Sequence, residues 1–200
     1  MSQVPLRQGH VALGANLATS TRTPIETLTC ALELFEGESL KVLARSAWYQ
    51  TPAFPAGAGP DFVNGVVKIE SALMPQDIIS ALHRIESEMG RQRLNRWEAR
   101  VCDLDLVEFA GCVLPDEQVF RDWMALPMEA QSSETPPSLI LPHPRMQDRS
   151  FVLVPMAEIS PDWRHPVTGL SVSQMLEALP DHDRRGVQKI LTESDTRKVP

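Results

Sequence analysis

The residues from 101 to 109, VCDLDLVEF, place two aspartates inside an apolar strand. With a period of two residues, one face carries Val101, Asp103, Asp105, Val107 and Phe109, and the other face carries Cys102, Leu104 and Leu106. Both faces are mostly apolar, which is typical of a central strand in a folded sheet. Two ionised carboxylates in such a place repel each other unless a cation lies between them, so the strand favours a divalent-metal site.

Asp103 and Asp105 are two residues apart, so their side chains project from the same face of the predicted strand. Such residues lie about 6.6 to 7 Å apart, which lets their carboxylates converge on metal ions roughly 3.5 to 4 Å from one another. Hard oxygen ligands favour Mg²⁺, which also binds substrate phosphates. The pair therefore predicts two Mg²⁺ ions, whereas D-x-D by itself fits an edge strand with a solvated acidic face equally well.

An arginine-rich loop leads directly into this strand. Its guanidinium groups belong to Arg91, Arg93, Arg96 and Arg100. A guanidinium fork matches phosphate oxygens in geometry and charge, and polyphosphate binding needs both signs of charge in one place. The alternative is a solvated basic loop, but the arginines followed at once by the aspartates indicate a polyphosphate site.

Length and charge narrow the classes of protein. The 200 residues suit one domain, with a core over about residues 9–180, an inserted excursion over about 114–138 and a polar tail over 181–200. A hydrophobic fraction of 42% and a charged fraction of 22% are ordinary for a soluble protein. The net charge of −7 argues against nucleic-acid binding, so we expect the arginines to serve a small anion.

The cysteines and the first residues predict a cytoplasmic protein. Cys30, Cys102 and Cys112 are odd in number and lack metal-ligand spacing. The opening residues, MSQVPLRQGH, lack the apolar core of a signal peptide, and no apolar run is long enough to span a bilayer. We expect no membrane association and a monomer, with a homodimer as the alternative.

The predicted elements follow the order strand, helix, strand, strand, helix, strand. The strands are expected at residues 10–13, 40–49, 62–69 and 101–109. The helices are expected to begin at Pro24, after the capping residue Thr23, and at Pro75, and to end at Gly37 and Gly90. A short helix is expected at residues 172–179. This order predicts an α+β fold, a ferredoxin-like split βαβ antiparallel sheet with helices on both faces.

Two further stretches carry residues suited to a flat heterocycle. Phe62 and Asn64 share one face of a strand, so a ring that stacks on Phe62 can hydrogen-bond to Asn64. His143, Arg149 and Phe151 fit a second wall of the same site, with a basic side and an aromatic side. Taken singly, each of these residues fits an ordinary structural role equally well.

In these motifs the chain resembles the 6-hydroxymethyl-7,8-dihydropterin pyrophosphokinase family, folate-pathway enzymes that move a pyrophosphoryl group from ATP to a pterin alcohol. The matching motifs are GANL from Gly14, TP from Thr51, PDFVN from Pro60, RIE from Arg84, RWxxRxxDLD from Arg96, PHPRM from Pro142 and RSF from Arg149. These motifs are ordered along most of the chain, which makes the resemblance specific.

The resemblance implies a role for individual residues. Two Mg²⁺ ions would lie at Asp103 and Asp105. ATP would contact Glu86, Arg91, Arg93, Arg96, Arg100, Leu106, His143 and Arg149. The pterin would contact Thr51, Pro52, Phe62, Asn64, Trp97 and Phe151, with the two phenylalanines stacking on the ring and Trp97 on a loop that closes over it. Catalysis would rest on the two aspartates with Arg91, Arg93 and Arg100.

Two other classes of protein share parts of this pattern. A palm-type nucleotidyl transferase also holds two metals on a split βαβ sheet, but Phe62 and Asn64 suit a pterin pocket instead. A non-catalytic pterin-binding or RNA-binding module of related topology would use aromatic residues of the sheet for stacking. The acidic balance of the chain and the paired aspartates disfavour that second class.

Overall fold

The computed structural model describes residues 5–53, 59–90, 100–127, 130 and 134–191. The strands are β1 (Arg7–Ala15), β2 (Lys41–Arg45), β3 (Tyr49–Thr51), β4 (Phe62–Ser71), β5 (Asp103–Phe109) and β6 (Gln188–Lys189). The helices are α1 (Pro24–Glu33), α2 (Pro75–Glu88), α3 (Glu117–Ala125), α4 (Ser150–Ile159), α5 (Val172–Ala178) and α6 (Asp181–Arg185).

The strands form one antiparallel sheet with helices on both of its faces. The strand order is β5-β1-β4-β3-β6. Strand β2 pairs with the C-terminal half of β4, from Val67 to Glu70. Helices α1 and α2 cover one face, where Leu13, Leu28 and Leu82 are buried together. Helices α4 and α5 cover the other face around Val66 and Met156. These three layers confirm the predicted ferredoxin-like α+β fold.

The prediction that β5 is a central strand is wrong, because β5 pairs only with β1 among the described residues. Its outer edge is covered by neighbouring segments. The carboxylate of Glu86 on α2 accepts a hydrogen bond from the Leu104 N–H at 2.8 Å. The His143 N–H donates to the Val107 carbonyl at 2.7 Å. An edge protected in this way carries the apolar pattern of an interior strand.

A β-bulge in β5 overturns the expectation that Phe109 shares a face with the aspartates. Leu106 pairs with Val11, whereas Glu108 pairs with His10, so Val107 is an extra residue. The extra residue reverses the alternation beyond it. Phe109 therefore packs with the α1 and α2 layer, while Glu108 turns to the face that carries the aspartates.

The single strand predicted over residues 40–49 is wrong, because the chain forms β2 and β3 with a break between them. At the break, the Ser46 Oγ accepts a hydrogen bond from the Val66 N–H at 3.0 Å. The Trp48 ring packs on Gly65, where a Cβ atom would lie 2.7 Å from the ring. The indole therefore occupies the space that a side chain of β4 would otherwise fill.

The helix starts follow the predicted capping signals. Thr23 and Glu26 form a reciprocal capping box at the start of α1, and α2 begins at Pro75. Gly90 follows α2 with φ +89, as a helix stop requires. However, α1 ends at Glu33 instead of Gly37, because the chain tightens into the 3-10 turn Glu36–Glu38. The short helix predicted over residues 172–179 is confirmed as α5.

The later part of the chain is more ordered than its composition indicates. The excursion contains α3, whose Phe120 is completely buried. The ring centroids of Phe120 and His165 lie 5.4 Å apart. Within the polar tail expected over residues 181–200, residues 181–191 contain α6 and β6, and β6 pairs with β3. Residues 192–200 lie outside the described part.

Within the described ranges, no helix combines the length and hydropathy needed to cross a membrane.

Candidate active site

The face of the sheet beneath α4 presents a polar row across three strands. Asp103 on β5 pairs with Gly14 on β1, and Gly14 pairs with Asn64 on β4. Residues directly opposite in a sheet point to the same side, and adjacent strands lie about 4.7 to 4.9 Å apart. The metal-binding candidate and the carboxamide therefore face the same space, roughly 10 Å apart across the sheet.

Gly14 keeps this row open because it has no side chain. A Cβ atom at this position would lie 3.2 Å from the Asn64 Oδ1. The Asn64 amide is itself fixed, because its Nδ2 donates to the Thr51 Oγ1 at 2.7 Å in a buried hydrogen bond. Because Gly14 has no side chain, the Asn64 Oδ1 keeps its position between the aspartates on β5 and the aromatic Phe62 on β4.

Asn16 connects the loop before β5 to the segment before β4. Its Oδ1 accepts from the Arg100 N–H at 2.7 Å, and its own N–H donates to the Arg100 carbonyl at 3.0 Å. The Asn16 Nδ2 donates to the Pro60 carbonyl at 3.2 Å. Asn16 is buried, so these contacts replace its hydration. In the sequence, the one signal for this residue is its place in the GANL motif, because Pro60 and Arg100 are distant along the chain.

Each aspartate contacts a guanidinium group. Arg100 forms an ion pair with Asp103, and the Arg149 Nη1 lies 3.8 Å from the Asp105 Oδ2. Burial lowers the pKa of Arg149 from its usual value, and the carboxylate of Asp105 opposes that change. A guanidinium stays charged in proteins, so both carboxylates face a cation. Alternating positive and negative groups of this kind suit a metal and polyphosphate site.

His143 joins this group from the segment that covers the edge of β5. Its Nδ1 accepts a hydrogen bond from the Arg145 N–H at 3.1 Å. Burial, and next the charge of Arg149, hold the pKa of His143 well below its usual value. The imidazole is therefore neutral at physiological pH, and the bond to Nδ1 assigns its proton to Nε2. It can donate that proton in a hydrogen bond to an anion such as phosphate.

The predicted ring-binding residues lie beside the row. Phe62 pairs with Thr51 across β3 and β4 and is half-buried, on the same face as Asn64. Phe151 on α4 is 37% exposed, with the Arg149 guanidinium 5.6 Å from its ring centroid. Pro52 follows Thr51 and is exposed. Their contacts with a pterin ring stay predictions.

Some predicted nucleotide contacts lie on other surfaces or outside the described residues. The Leu106 side chain is buried in the α1 and α2 layer, and the Glu86 carboxylate is buried against the Leu104 N–H. These two side chains therefore lie away from the aspartate face, and their nucleotide roles stay predictions. Outside the described residues lie Arg91, Arg93, Arg96 and Trp97.

The donors at Asp103 and Asp105 fit Mg²⁺. Both residues offer carboxylate oxygens on one face, and the Asp105 side chain is 47% exposed, so it is accessible to a hydrated ion. Mg²⁺ typically binds through one or two carboxylates and keeps its remaining sites for water and phosphate. The guanidinium groups of Arg100 and Arg149 already lie against these two carboxylates, so the space beside each carboxylate favours a cation.

Comparison with known proteins places the chain among pterin pyrophosphokinases. A model of the 7,8-dihydro-6-hydroxymethylpterin-pyrophosphokinase family matches residues 10–161. The 2-amino-4-hydroxy-6-hydroxymethyldihydropteridine pyrophosphokinase of Pseudomonas aeruginosa is 36% identical over 177 residues, which cover 88% of this chain and 93% of that protein. The Synechocystis protein of the same name is 34% identical over 168 residues, with 84% and 73% covered.

Longer proteins contain a similar segment. The folic acid synthesis protein fol1 of Pneumocystis carinii is 33% identical over 182 residues, and the match spans 91% of this chain but 21% of fol1. A crystal structure of Plasmodium falciparum HPPK-DHPS with pterin and p-hydrobenzoate superposes with a TM-score of 0.64 at 14% identity. That match covers 96% of this chain and 49% of the other, and it supports the fold alone.

Proposed function

Because the chain belongs to the 7,8-dihydro-6-hydroxymethylpterin-pyrophosphokinase family, and is therefore an ATP-dependent pyrophosphokinase, we propose how its site carries out the transfer. In this proposal the pyrophosphoryl group of ATP passes to 6-hydroxymethyl-7,8-dihydropterin, with AMP as the other product. Asp103 and Asp105 would hold two Mg²⁺ ions. The observation that carries the proposal is the row Asp103, Gly14 and Asn64, which brings a candidate metal ligand and a fixed carboxamide to the same face of the sheet.

The chemistry needs one bond to form and one to break. The hydroxymethyl oxygen of the pterin attacks the β-phosphorus of ATP, and the bond from that phosphorus to the oxygen bridging it to the α-phosphate breaks. The hydroxyl proton is lost to solvent, and AMP leaves with the bridging oxygen. Transfer of this kind requires positioning and charge neutralisation more than covalent help from side chains.

The described residues supply positioning and positive charge for this reaction. When ATP binds, Arg100 and Arg149 would turn from the carboxylates to phosphate oxygens, so that the oxygens of Asp103 and Asp105 would be free to hold Mg²⁺. His143 donates its Nε2 proton in a hydrogen bond to a phosphate oxygen. Bound Mg²⁺ neutralises the charge that develops on the phosphates.

The pterin is held on the other side of Gly14. Phe62 and Phe151 stack on its two faces, and the Asn64 carboxamide reads its edge. Thr51 supports this contact, because its hydroxyl oxygen already accepts from the Asn64 Nδ2 and leaves the Oδ1 to point towards Gly14. The pterin alcohol is thereby directed towards the aspartate side of the row.

The test is to identify the products. The protein is incubated with Mg²⁺, ATP and 6-hydroxymethyl-7,8-dihydropterin, and the nucleotides are separated by ion-exchange chromatography. We expect AMP in equal amount to pterin pyrophosphate. Release of inorganic pyrophosphate with a nucleotidylated pterin would instead identify a nucleotidyl transferase. Pterin binding without any change in ATP would identify a non-catalytic binding module.

A further inference from the structure

A second polar row lies towards the other end of the same sheet face. Glu108 on β5 pairs with His10 on β1, and His10 pairs with Lys68 on β4. The bulge at Val107 creates this row, because it turns Glu108 to the face that carries the aspartates. In the described part of the chain, Asp105 and Asn64 are bonded to Arg149 and Thr51 and not to this row, and the transfer described above uses none of the row's residues.

The histidine of this row connects a carboxylate to a hydroxyl group. The His10 Nδ1 lies 2.6 Å from the Glu108 Oε1, and the His10 Nε2 lies 2.8 Å from the Ser160 Oγ. His10 and Glu108 are each only 2% exposed, and Ser160 follows directly after α4. A nucleophile bonded to a base, with the base oriented by a third group, is the arrangement that activates a serine.

An open cleft of about 680 Å³ adjoins the hydroxyl group. Ser160, His10, Lys68 and Trp163 all line it. The Trp163 and His10 rings meet edge-on, with their centroids 6.3 Å apart, so Trp163 gives the cleft an aromatic wall. No carboxylate in the described part of the chain forms an ion pair with Lys68, so its ammonium group is available to an anion.

We propose that Ser160 is an activated nucleophile that accepts acyl groups from small esters carrying an anionic group. The Ser160 Oγ attacks the ester carbonyl carbon while the His10 Nε2 takes the hydroxyl proton. The new bond joins Oγ to the acyl carbon, the ester carbon–oxygen bond breaks, and the proton passes from Nε2 to the departing alcohol. Water then attacks the acyl carbon, gives a proton through His10 to Ser160, and releases the acid.

The charged groups set the substrate class. Glu108 accepts the His10 Nδ1 proton in a hydrogen bond, which orients the ring towards Ser160. Lys68 favours an anionic substituent, and Trp163 favours an apolar body. An ester of a short dicarboxylic acid combines both features.

The first experiment is covalent labelling of the full chain with a fluorophosphonate, followed by peptide mass spectrometry. We expect phosphonylation of Ser160 in the folded protein and its loss after denaturation in urea. Ser160→Ala should abolish the label, while Ser173→Ala should retain it, because the Ser173 Oγ donates to the Pro161 carbonyl at 3.3 Å instead of to a histidine. No adduct at Ser160 in a folded protein with normal AMP formation would overturn the proposal.

The second experiment measures the contribution of the other two groups. Glu108→Gln keeps an oxygen acceptor beside His10 but removes its charge, and should slow labelling by about tenfold or more. Lys68→Gln should reduce hydrolysis of mono-4-nitrophenyl succinate more than hydrolysis of 4-nitrophenyl acetate. Equal labelling rates for wild type and Glu108→Gln would overturn the activation of Ser160. Equal loss with both esters would overturn the assigned substrate class.

Discussion

Asp103 and Asp105 test the metal assignment at the scale of single residues. Replacing either one by Asn keeps its size but removes a negative charge that we propose holds Mg²⁺ against the phosphates. If charge neutralisation in the transition state is the main source of rate, we expect AMP formation to fall by on the order of a thousandfold or more. Pterin affinity without nucleotide should change little. Steady-state rates and calorimetry measure the two quantities.

The matched control for this pair is Asp77→Asn, which removes the same charge from an exposed position in the first turn of α2. Its rate should stay near that of wild type. Normal AMP formation by both site variants at limiting Mg²⁺ would return β5 to a purely structural role.

Phe62 and Phe151 test the ring-binding wall. Phe62→Ala and Phe151→Ala should each weaken pterin binding by about 1 to 3 kcal/mol, because stacking and burial are lost. Nucleotide affinity should change far less. Calorimetric titration with pterin and with an ATP analogue separates the two effects, and unaltered pterin affinity in both variants would remove these rings from the pocket.

Asn16 is expected to position residues on both sides of the site. Asn16→Ala leaves the partly buried Arg100 N–H without its side-chain acceptor, which should cost about 1 kcal/mol of unfolding free energy or more. Asn16→Asp retains that acceptor and loses only the donor to Pro60. We therefore expect a larger rise in the KM for ATP with Ala than with Asp, and urea unfolding gives the stability of each. Equal KM values for the two variants would contradict a positioning role.

At the scale of an element, the capping residue of helix α1 tests how much a local sequence signal contributes to stability. Thr23→Ala removes the hydroxyl that accepts from the Glu26 N–H and should cost about 1 kcal/mol of unfolding free energy. Thr21→Ala is the control, since Thr21 is exposed and precedes the helix. Urea denaturation distinguishes the two, and AMP formation should be unchanged in both. A Thr23→Ala protein as stable as the control would show that packing alone fixes the start of α1.

Elements with local signals could be predicted from the sequence, whereas pairing between distant strands could not. The starts of α1 and α2 depend on neighbouring residues such as Thr23 and Pro75. The bulge at Val107 and the edge position of β5 depend on β1 and on the segment at His143. Helix α4 was missed because it is apolar on most sides and contains Pro155.

The same distinction applies to the candidate site. A period of two residues correctly placed Phe62 with Asn64, and Asp103 with Asp105. The spacing role of Gly14 and the hydrogen bonds of Asn16 arise only when β1, β4 and the segment at Arg100 meet in space. Position within a motif identified these residues, but only the fold explains them.

At the scale of the whole molecule, His165 couples stability to pH. It is completely buried between Phe120 and Trp163, and its Nδ1 accepts from the Val167 N–H at 3.2 Å and the Thr168 N–H at 3.3 Å. Burial lowers its pKa from 6.5 to about 4. Between these values the unfolded chain binds more protons than the folded one, so stability falls as pH falls.

We expect the unfolding free energy to drop by about 2 kcal/mol from this group between pH 7 and pH 5. Urea denaturation at both values measures the change. His165→Asn offers an oxygen acceptor that does not titrate in this range, so its pH dependence should be shallower. An identical pH dependence in the variant would assign the loss to other groups.

The central position of β1 has a consequence for biosynthesis. One of its two neighbours, β5, is made much later, since Gly14 pairs with Asp103 and 103 − 14 = 89 residues separate them. At about 5 to 20 residues per second, the ribosome needs roughly 4 to 18 s to cover that distance. During this interval β1 emerges as an apolar strand with an open edge, a form that recruits other strands. The speed of translation between β1 and β5 therefore sets how long this strand edge stays unpaired in the nascent chain.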